Sequence, residues 1–329
     1  MESSAIAVQG LAKDFGEVRA VRGVDFEVAS GEVFAFLGPN GAGKTTTINM
    51  LCTLTRPTRG SASVAGYDVV RERDQVRRHI GLVFQDPTLD GYLTAEQNLR
   101  LHAELYGVPS KSVAPRMRQV LEMVGLWERR EGQVLTFSGG MRRRLEIARG
   151  LMHSPRVLFL DEPTIGLDPQ TRSSIWSYIG LLKETEDITI FMTTHYMDEA
   201  EICHRIAIMD QGRIVALDTP EALKAGIAAD RVQISTEDDA AATAALAERF
   251  GMDAQMAEGM VTFSVRAGEA FVPRLFGELG VPIKSVKVSR PTLDDVFMSY
   301  TGTTIRDAEE SRDRQASRIM MQVMSRGRR

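Results

Sequence analysis

Residues 38–46 have the sequence Gly38-Pro39-Asn40-Gly41-Ala42-Gly43-Lys44-Thr45-Thr46. The apolar run before them, 33–37, is short, aromatic and β-branched, which predicts a buried strand, and the residues after them can continue as a helix. A G-x-x-x-x-G-K-[ST] loop between a strand and a helix is typical of a phosphate site, because its N–H groups attract an anion. We therefore expect Lys44 to reach the β- and γ-phosphates of a nucleotide and the Thr45 hydroxyl to ligate Mg²⁺.

The composition is that of an ordinary globular protein. The chain has 329 residues, of which 43% are hydrophobic and 26% charged, so one large domain with an appendage is expected. The net charge of −4 excludes a global basic field for nucleic acid. No run approaches the ~18 uncharged apolar residues of a membrane span, and we expect no secretory signal. Cys52 and Cys203 are predicted to be buried free thiols, as suits a reducing cytoplasm.

Two adjacent carboxylates, Asp161 and Glu162, follow the apolar run 157–160. Neighbouring side chains of a strand point to opposite sides, so the two acids can have different roles. We expect Asp161 to reach the Mg²⁺ shell and Glu162 to orient an attacking water beside the γ-phosphate. The alternative, two acids in an ordinary turn, does not explain the uninterrupted strand before them.

Two further polar side chains follow predicted strands that end at the same sheet edge. Gln85 follows the strand 80–84, and it is either a ligand-facing residue or only a turn residue before proline. His195 follows the strand 188–193, and we predict that it interacts with a phosphate oxygen rather than serving only in packing. Both side chains therefore belong to the predicted nucleotide site.

The region from about 90 to 150 is predicted to be an α-helical insertion. Thr94 begins a capping-box pattern, and an amphipathic helix is predicted over 115–126. The segment Ser138-Gly139-Gly140 precedes another helix, with Ser138 as a plausible N-cap and two glycines that expose N–H groups to an anion. Alone, this segment indicates only a flexible turn.

Phe15 lies at the turn between two predicted strands, 5–11 and 18–28, of an antiparallel layer. An aromatic side chain at a loop tip either packs against its neighbours or stacks on a nucleobase. The residues alone leave both roles open.

Together, the motifs over about 1–225 resemble those of the ATP-binding subunit of an ABC transporter. The resemblance implies an α/β P-loop NTPase (ABC ATPase) fold with an antiparallel β layer and an α-helical subdomain. It identifies 38–46 as Walker A, Leu158–Glu162 as Walker B and Phe137–Met141 as the family signature. The signature departs from the family pattern at Phe137 and Met141, but its serine and both glycines are intact.

The resemblance also assigns roles to single residues. It implies that Phe15 stacks on adenine, and that Gln85 contacts Mg²⁺ or water and senses the permease. It also implies a switch function for His195, and a loop at Gly166–Asp168 that crosses the dimer. Ile165 replaces the serine usual in that loop.

The resemblance also implies partners, because it describes a nucleotide site that no single chain completes. ATP and Mg²⁺ are the implied cofactors. Ser138, Gly139 and Gly140 of one subunit cap the γ-phosphate held by Lys44 of a second copy, so that ATP joins a homodimer. A separate transmembrane permease holds the subunits at the cytoplasmic side of the cell membrane, and no nucleic-acid partner is implied.

A different pattern begins at residue 231. Over 231–300 the predicted order is β-α-β-β-α-β, a small α+β domain of the ferredoxin-like type. The segment is similar to the C-terminal regulatory region of daunorubicin-type drug-resistance export ATPases, which implies an exporter and a role in regulation or dimerisation. The basic tail, 303–329, either lies on an anionic membrane or the permease or is a solvated tail.

The alternative function is that of a non-transport ABC ATPase acting in DNA repair, translation or cofactor assembly. DNA-repair members carry long coiled coils and translation factors carry two ATPase domains. The sequence has neither feature, so we expect the energy-coupling ATPase of a membrane exporter.

Overall fold

The computed structural model describes residues 4–227, 230–257 and 259–302, and the chain divides into two compact units between Leu217 and Asp218. The sequence predicted the end of the first domain near residue 225, whereas the contacts place the segment after Leu217 in the second unit. The predicted basic tail lies outside the described residues. Within the described ranges, no helix is both long enough and apolar enough to cross a bilayer.

The first unit contains two sheets. Its strands are β1 Ser4–Phe15, β2 Val18–Ala29, β3 Val33–Leu37, β4 Arg59–Val64, β5 Tyr67–Asp68, β6 Ile80–Val83, β7 Val157–Asp161, β8 Thr189–Thr194, β9 Arg205–Asp210 and β10 Arg213–Asp218. One sheet is the predicted antiparallel layer, in the order β2-β1-β4-β5. The other has the order β10-β9-β3-β8-β7-β6, with parallel pairing from β9 to β6.

Four phenylalanine rings join the two sheets. Phe26 of β2 packs on Phe34 and Phe36 of β3 and on Phe191 of β8, with ring centroids between 5.0 and 6.0 Å apart. All four side chains are buried. Because aromatic pairs at these separations bury large apolar areas, the cluster fixes β3, whose end carries the phosphate loop.

The helices of the first unit match most of the predicted positions. They are α1 Lys44–Leu51, α2 Arg73–His79, α3 Ala95–Leu105, α4 Ser110–Met123, α5 Gly139–Leu151, α6 Pro169–Thr185 and α7 Met197–Ala200. The capping box at Thr94 is confirmed. Helix α4 covers Ser110–Met123 rather than the predicted 115–126. It continues through Pro115, whose missing N–H costs one backbone hydrogen bond. Both cysteines are buried free thiols, as predicted.

The second unit has the predicted ferredoxin-like arrangement. Its elements are α8 Pro220–Gly226, β11 Asp230–Thr236, α9 Asp239–Phe250, β12 Ala254–Ala257, β13 Met260–Val265, α10 Gly268–Glu278, β14 Ile283–Ser289 and α11 Leu293–Thr301. The sheet is antiparallel in the order β12-β13-β11-β14. Its core includes the buried side chains of Ile234, Leu246, Phe263 and Leu275.

Candidate functional site

The phosphate loop is held closely against its surroundings by two glycines. A Cβ on Gly38 would lie 2.1 Å from the carbonyl oxygen of Met209, so only glycine fits the present backbone. Gly43 has φ +108°, and a Cβ there would lie 2.6 Å from the carbonyl oxygen of Ala20. The loop therefore has the form that the sequence predicted, and it leads directly into α1.

Asp161 lies at the carboxyl edge of the parallel sheet, within reach of the phosphate loop. The Thr45 hydroxyl donates to Asp161 Oδ1 at 3.2 Å, and the Thr193 hydroxyl donates to the same oxygen at 2.5 Å. Burial raises the pKa of Asp161 above its usual range, although the two hydroxyl donors oppose this shift. The structure thus brings together Thr45 and Asp161, two of the three residues predicted to ligate Mg²⁺.

Glu162 lies between two cationic or proton-donating partners. Its Oε1 lies 3.0 Å from Lys44 Nζ, and its Oε2 lies 2.8 Å from His195 Nδ1. Burial alone raises the pKa of Glu162, but the His195 hydrogen bond and the Lys44 charge outweigh it, so the pKa lies below its usual range. Oε1 is buried against the Lys44 ammonium, and a carboxylate oxygen has a further lone pair with which it can accept a hydrogen bond from water.

The backbone of Glu162 is strained. Its φ of +47° is in the left-handed region, which costs a residue with a Cβ of order 1–3 kcal/mol and persists only where the surroundings hold it. Its N–H donates to the Thr193 hydroxyl at 3.0 Å. The strained turn directs the Glu162 carboxylate towards Lys44.

A small cavity of about 90 Å³ lies between the phosphate loop and the residues that follow β6 and β7. Its lining consists of Asn40, Gly41, Gly43, Lys44, Thr45, Thr46, Gln85 and Glu162. Lys44 Nζ also donates to the carbonyl oxygens of Gly38 at 2.5 Å and Pro39 at 3.3 Å. An incoming phosphate therefore competes with these carbonyls and with Glu162 for the ammonium group.

The residues at this cavity fit a magnesium ion. Mg²⁺ prefers hard oxygen ligands and commonly binds through one or two carboxylates together with substrate phosphates and water. Thr45, Gln85 and Asp161 offer a hydroxyl, an amide and a carboxylate oxygen at the cavity or beside it. The buried Asp161 carboxylate, raised in pKa by burial, is the kind of group that a bound cation would stabilise.

Comparison with known proteins gives matches over nearly the whole chain. The daunorubicin resistance ATP-binding protein DrrA3 of Streptomyces coeruleorubidus is 39% identical over 94% of this chain and 99% of its own. The chain belongs to the ATP-binding subunits of ABC transporters. The linearmycin resistance ATP-binding protein LnrL of Bacillus subtilis is also similar, at 36% identity over 92% of this chain and 100% of its own.

Family models and solved structures agree with this membership. Residues 21–165 match the ABC transporter model, and residues 219–301 match the C-terminal domain of DrrA1-3-like ATP-binding proteins. A solved post-hydrolysis dimer of the ATP-binding cassette MJ0796, bound to ADP and Pi, is similar with a TM-score of 0.59 at 27% identity, covering 65% of this chain and 98% of that one. The predicted fold and ATPase class are confirmed. As an ABC subunit, the chain binds and hydrolyses ATP.

Several predicted ATP contacts lie outside this cavity's described lining, among them Phe15, Ser138, Gly139, Gly140 and Asp168. Ser138 and Gly139 are exposed at the N-terminus of α5, where Ser138 Oγ accepts from the N–H of Met141 at 3.2 Å. Gly140 follows them and is partly exposed. Asp168 is exposed as the N-cap of α6, and hydrogen bonds from Thr171 hold its pKa below the usual range. Phe15, 52% exposed, lies at the end of β1.

Two residues that organise the sheet edge at Asp161 and Glu162, here called the catalytic edge, were not predicted from the sequence. Thr193 binds both Asp161 and the N–H of Glu162, and Arg143 donates to the carbonyl oxygens of Asp161 and Glu162. A threonine at the end of the strand before His195 was a visible signal. The contacts of Arg143, on a helix elsewhere in the chain, had no local signal.

Gly38→Ala is expected to weaken ATP binding by about tenfold, because the clash with Met209 must displace the loop at a cost of about 1–3 kcal/mol. Equilibrium binding of a fluorescent ATP analogue measures the change. The control is Gly180→Ala in α6, where nothing lies within 4 Å of the added Cβ. The control should bind ATP normally, and equal affinity in the two variants would contradict the prediction.

Proposed function

We propose that two copies of this chain clasp ATP between them and that the closed homodimer powers a membrane exporter. The observation that carries the proposal is the division of the predicted ATP contacts within one chain. Lys44, Gln85 and Glu162 share one cavity, whereas Ser138 and Gly139 are exposed at the start of α5. A helix N-terminus with exposed N–H groups is suited to an anion, and a second copy can supply that anion as bound nucleotide.

Within this proposal each residue at the cavity has a distinct role. Lys44 and the phosphate-loop N–H groups bind the β- and γ-phosphates. Thr45, Gln85 and Asp161 would hold a Mg²⁺ ion, which would supply neutralisation of phosphate charge. Glu162 accepts a proton from the attacking water, because its carboxylate, whose pKa lies below the usual range, is ionised and its oxygens have further lone pairs for a hydrogen bond from water. His195 orients that carboxylate through its Nδ1 contact.

The remaining predicted contacts complete the nucleotide site. Phe15 stacks on the adenine, which its exposed ring permits. The segment Gly166–Asp168 crosses to the second copy, and Asp168 is already ordered as the N-cap of α6. ATP then acts as a contact between subunits, and its hydrolysis removes that contact.

The transport role rests on the relatives and on one exposed surface. The relatives named above are daunorubicin and linearmycin resistance proteins, so we propose a drug or another amphipathic compound as cargo. Leu101 and Leu105 of α3 are exposed, the latter by 75%, and offer apolar contact area for a separate permease. Attachment through that permease would hold the chain peripherally at the cytoplasmic side of the cell membrane.

The second unit, predicted as a domain over 231–300, is proposed to stabilise the dimer or regulate its closure. Its match to the C-terminal domain of DrrA1-3-like proteins supports a role shared with export ATPases. Its sheet and buried core provide a folded body for such a contact.

Mixing two inactive variants tests the shared site. Gly139→Asp is tolerated locally, since its Cβ would lie 3.6 Å from Leu167 Cδ2, but its carboxylate would repel the nucleotide of the other copy. Like-charge juxtaposition costs several kcal/mol, so ATP hydrolysis should fall by at least about tenfold. Lys44→Met should also be inactive, and a mixture of the two contains heterodimers with one intact site.

An equal mixture should therefore recover up to about a quarter of wild-type ATPase activity, because half the dimers are mixed and each has one of two equivalent sites. Each variant mixed with itself is the control. If Gly139→Asp alone hydrolyses ATP at the wild-type rate, the site is complete in one chain and the proposal is wrong.

A further inference from the structure

Arg143 is a buried arginine whose guanidinium group binds the backbone of two loops at the catalytic edge. The side chain lies on α5, five residues after Ser138, and is only 6% exposed. Its Nε donates to Pro163 O at 2.6 Å, and its Nη2 donates to Asp161 O at 3.0 Å and Glu162 O at 3.1 Å. Its Nη1 donates to the carbonyl oxygen of Phe84.

Glu146 completes the arrangement on the next turn of α5. Its Oε2 lies 3.1 Å from Arg143 Nη1, and its Oε1 accepts from the N–H of Thr88 at 2.7 Å. Arg149, a further three residues along the helix, donates to Thr88 O at 3.0 Å. Residues three apart lie on one face of a helix, so a single face of α5 holds the 84–88 segment.

These hydrogen bonds act on backbone positions that catalysis needs to be fixed. Glu162 has a left-handed φ of +47°, a conformation that the surroundings must maintain. The carbonyls on both sides of its Cα bind the same guanidinium group, which is planar and presents donors in a fixed geometry. The Phe84 carbonyl, bound by the other side of the group, directly precedes Gln85.

The two loops and the ATP-capping segment therefore meet at one helix. Ser138, Gly139 and Gly140 form the start of α5, about one turn before Arg143. A displacement of α5 when its N-terminus engages a nucleotide must move the guanidinium group or break its hydrogen bonds. The strand-end carbonyls of Asp161, Glu162 and Pro163 would follow that displacement.

We propose that Arg143 is a positioning residue for ATP hydrolysis, holding Glu162 and Gln85 in catalytic geometry and linking them to the ATP-capping end of α5. The inference rests on the proposed role of Glu162 as the group that accepts the proton of water. Arg143 touches neither nucleotide nor water in this assignment. It acts through the backbone of Asp161, Glu162 and Phe84, with Glu146 balancing its charge.

Arg143→Lys is the direct test, because lysine keeps the ion pair with Glu146 but its compact ammonium cannot span the carbonyls of both loops. A 1 Å misplacement of a catalytic group can cost about 10²-fold in rate, so we expect kcat to fall by about 10–100-fold. The ATP dissociation constant and the number of ATP molecules bound per chain should stay within about twofold, since the phosphate loop is untouched.

Arg144→Lys is the matched control. Arg144 is the next residue on the same helix, but its guanidinium binds Val124 O at 2.9 Å and the Tyr178 hydroxyl at 3.1 Å, away from the catalytic edge. We expect its kcat to stay within about twofold of wild type, because its contacts do not reach Glu162. Equal loss of kcat in both lysine variants would overturn the inference, since general loosening of α5 would then explain it.

A second variant, R143M/E146Q, removes both buried charges together and so avoids leaving one unpaired. The amide oxygen that replaces the Glu146 carboxylate can still accept from the N–H of Thr88, so the 84–88 segment keeps this contact with α5. We expect the same low kcat with ATP binding retained. Wild-type kcat in either Arg143 variant, or loss of ATP binding in proportion to activity, would overturn the inference.

The test of Arg143 can fail independently of the proposed catalytic role of Glu162. If Glu162→Gln is inactive while Arg143→Lys is fully active, only the positioning inference is wrong. If Glu162→Gln hydrolyses ATP at the wild-type rate, the role of Glu162 fails, and the inference that depends on it fails as well.

Discussion

Glu162→Gln should lower the rate of ATP hydrolysis by about 10²–10⁴-fold, the range typical of losing a general base. The amide has nearly the shape of the carboxylate and can keep contact with His195, but it cannot take a proton from water. The backbone turn, set by Thr193 and Arg143, is unchanged by the substitution. Steady-state phosphate release measures the loss.

ATP binding should persist in this variant, and the ATP-bound dimer should accumulate. The carboxylate that pairs with Lys44 at 3.0 Å in the nucleotide-free chain is neutralised, so the ammonium no longer leaves an ion pair when it binds phosphate. Closed dimers that form with ATP then cannot hydrolyse the molecule that holds them together. Light scattering after size-exclusion chromatography in ATP and Mg²⁺ should show a dimer that ADP does not support.

The control for this substitution is Glu186→Gln. Glu186 also pairs with a cation, Arg116 at 2.6 Å, but it lies beyond the end of α6 and does not line the phosphate cavity described above. Its hydrolysis rate should stay within about twofold of wild type, because the pair with Arg116 does not reach the phosphate cavity. Wild-type hydrolysis by Glu162→Gln itself would contradict the assigned role.

Local sequence signals were sufficient to place most elements around the site. The run Val33–Leu37 matches β3 residue for residue, because five consecutive apolar residues before a glycine-rich loop have few alternatives to a buried strand. Thr94 and Gln97 form the predicted capping box, and Ser138 caps α5, since both features depend only on residues within one turn. The strands that end near Asp161 and His195 were predicted in the same way, from their apolar runs.

These local signals did not predict several of the contacts between segments that are distant in the sequence. Arg143 and Glu146 are visible as an i, i+3 pair, but the carbonyls that Arg143 binds come from positions 18, 19, 20 and 59 residues away in the chain. Likewise, the spacing of Lys44 predicted contact with phosphate, and nothing local indicated an ion pair with Glu162. Such contacts depend on the order of the parallel strands in the sheet. The alternation of apolar residues and the capping of helices do not specify that order.

Lys44→Met should have the second large effect, on function and on stability together. Without the ammonium charge at the phosphates, ATP hydrolysis should fall by about 10²–10³-fold, as when a transition-state donor is removed. In the nucleotide-free protein, the substitution leaves Glu162 buried without its ion-pair partner. Breaking a buried pair in this way costs about 3–5 kcal/mol of unfolding free energy.

Urea unfolding followed by tryptophan fluorescence is a suitable measurement of that cost. Both tryptophans, Trp127 and Trp176, lie in the first unit with the site, so the signal reports on that unit. The double variant K44M/E162Q removes both charges and should regain much of the lost stability while remaining inactive. Equal stability of Lys44→Met and the double variant would show that the pair is not the source of the loss.

The acid dependence of stability provides an independent check on the same ion pair. Because the His195 hydrogen bond and the Lys44 charge hold the pKa of Glu162 in the folded protein below its ordinary value of 4.5, these contacts stabilise the folded state fully above that pH. This contribution is lost as the pH falls through the lower folded-state pKa, where the carboxylate becomes protonated. Wild-type protein should therefore lose more unfolding free energy between neutral and acid pH than Lys44→Met, whose Glu162 no longer has the ammonium charge to lower its pKa.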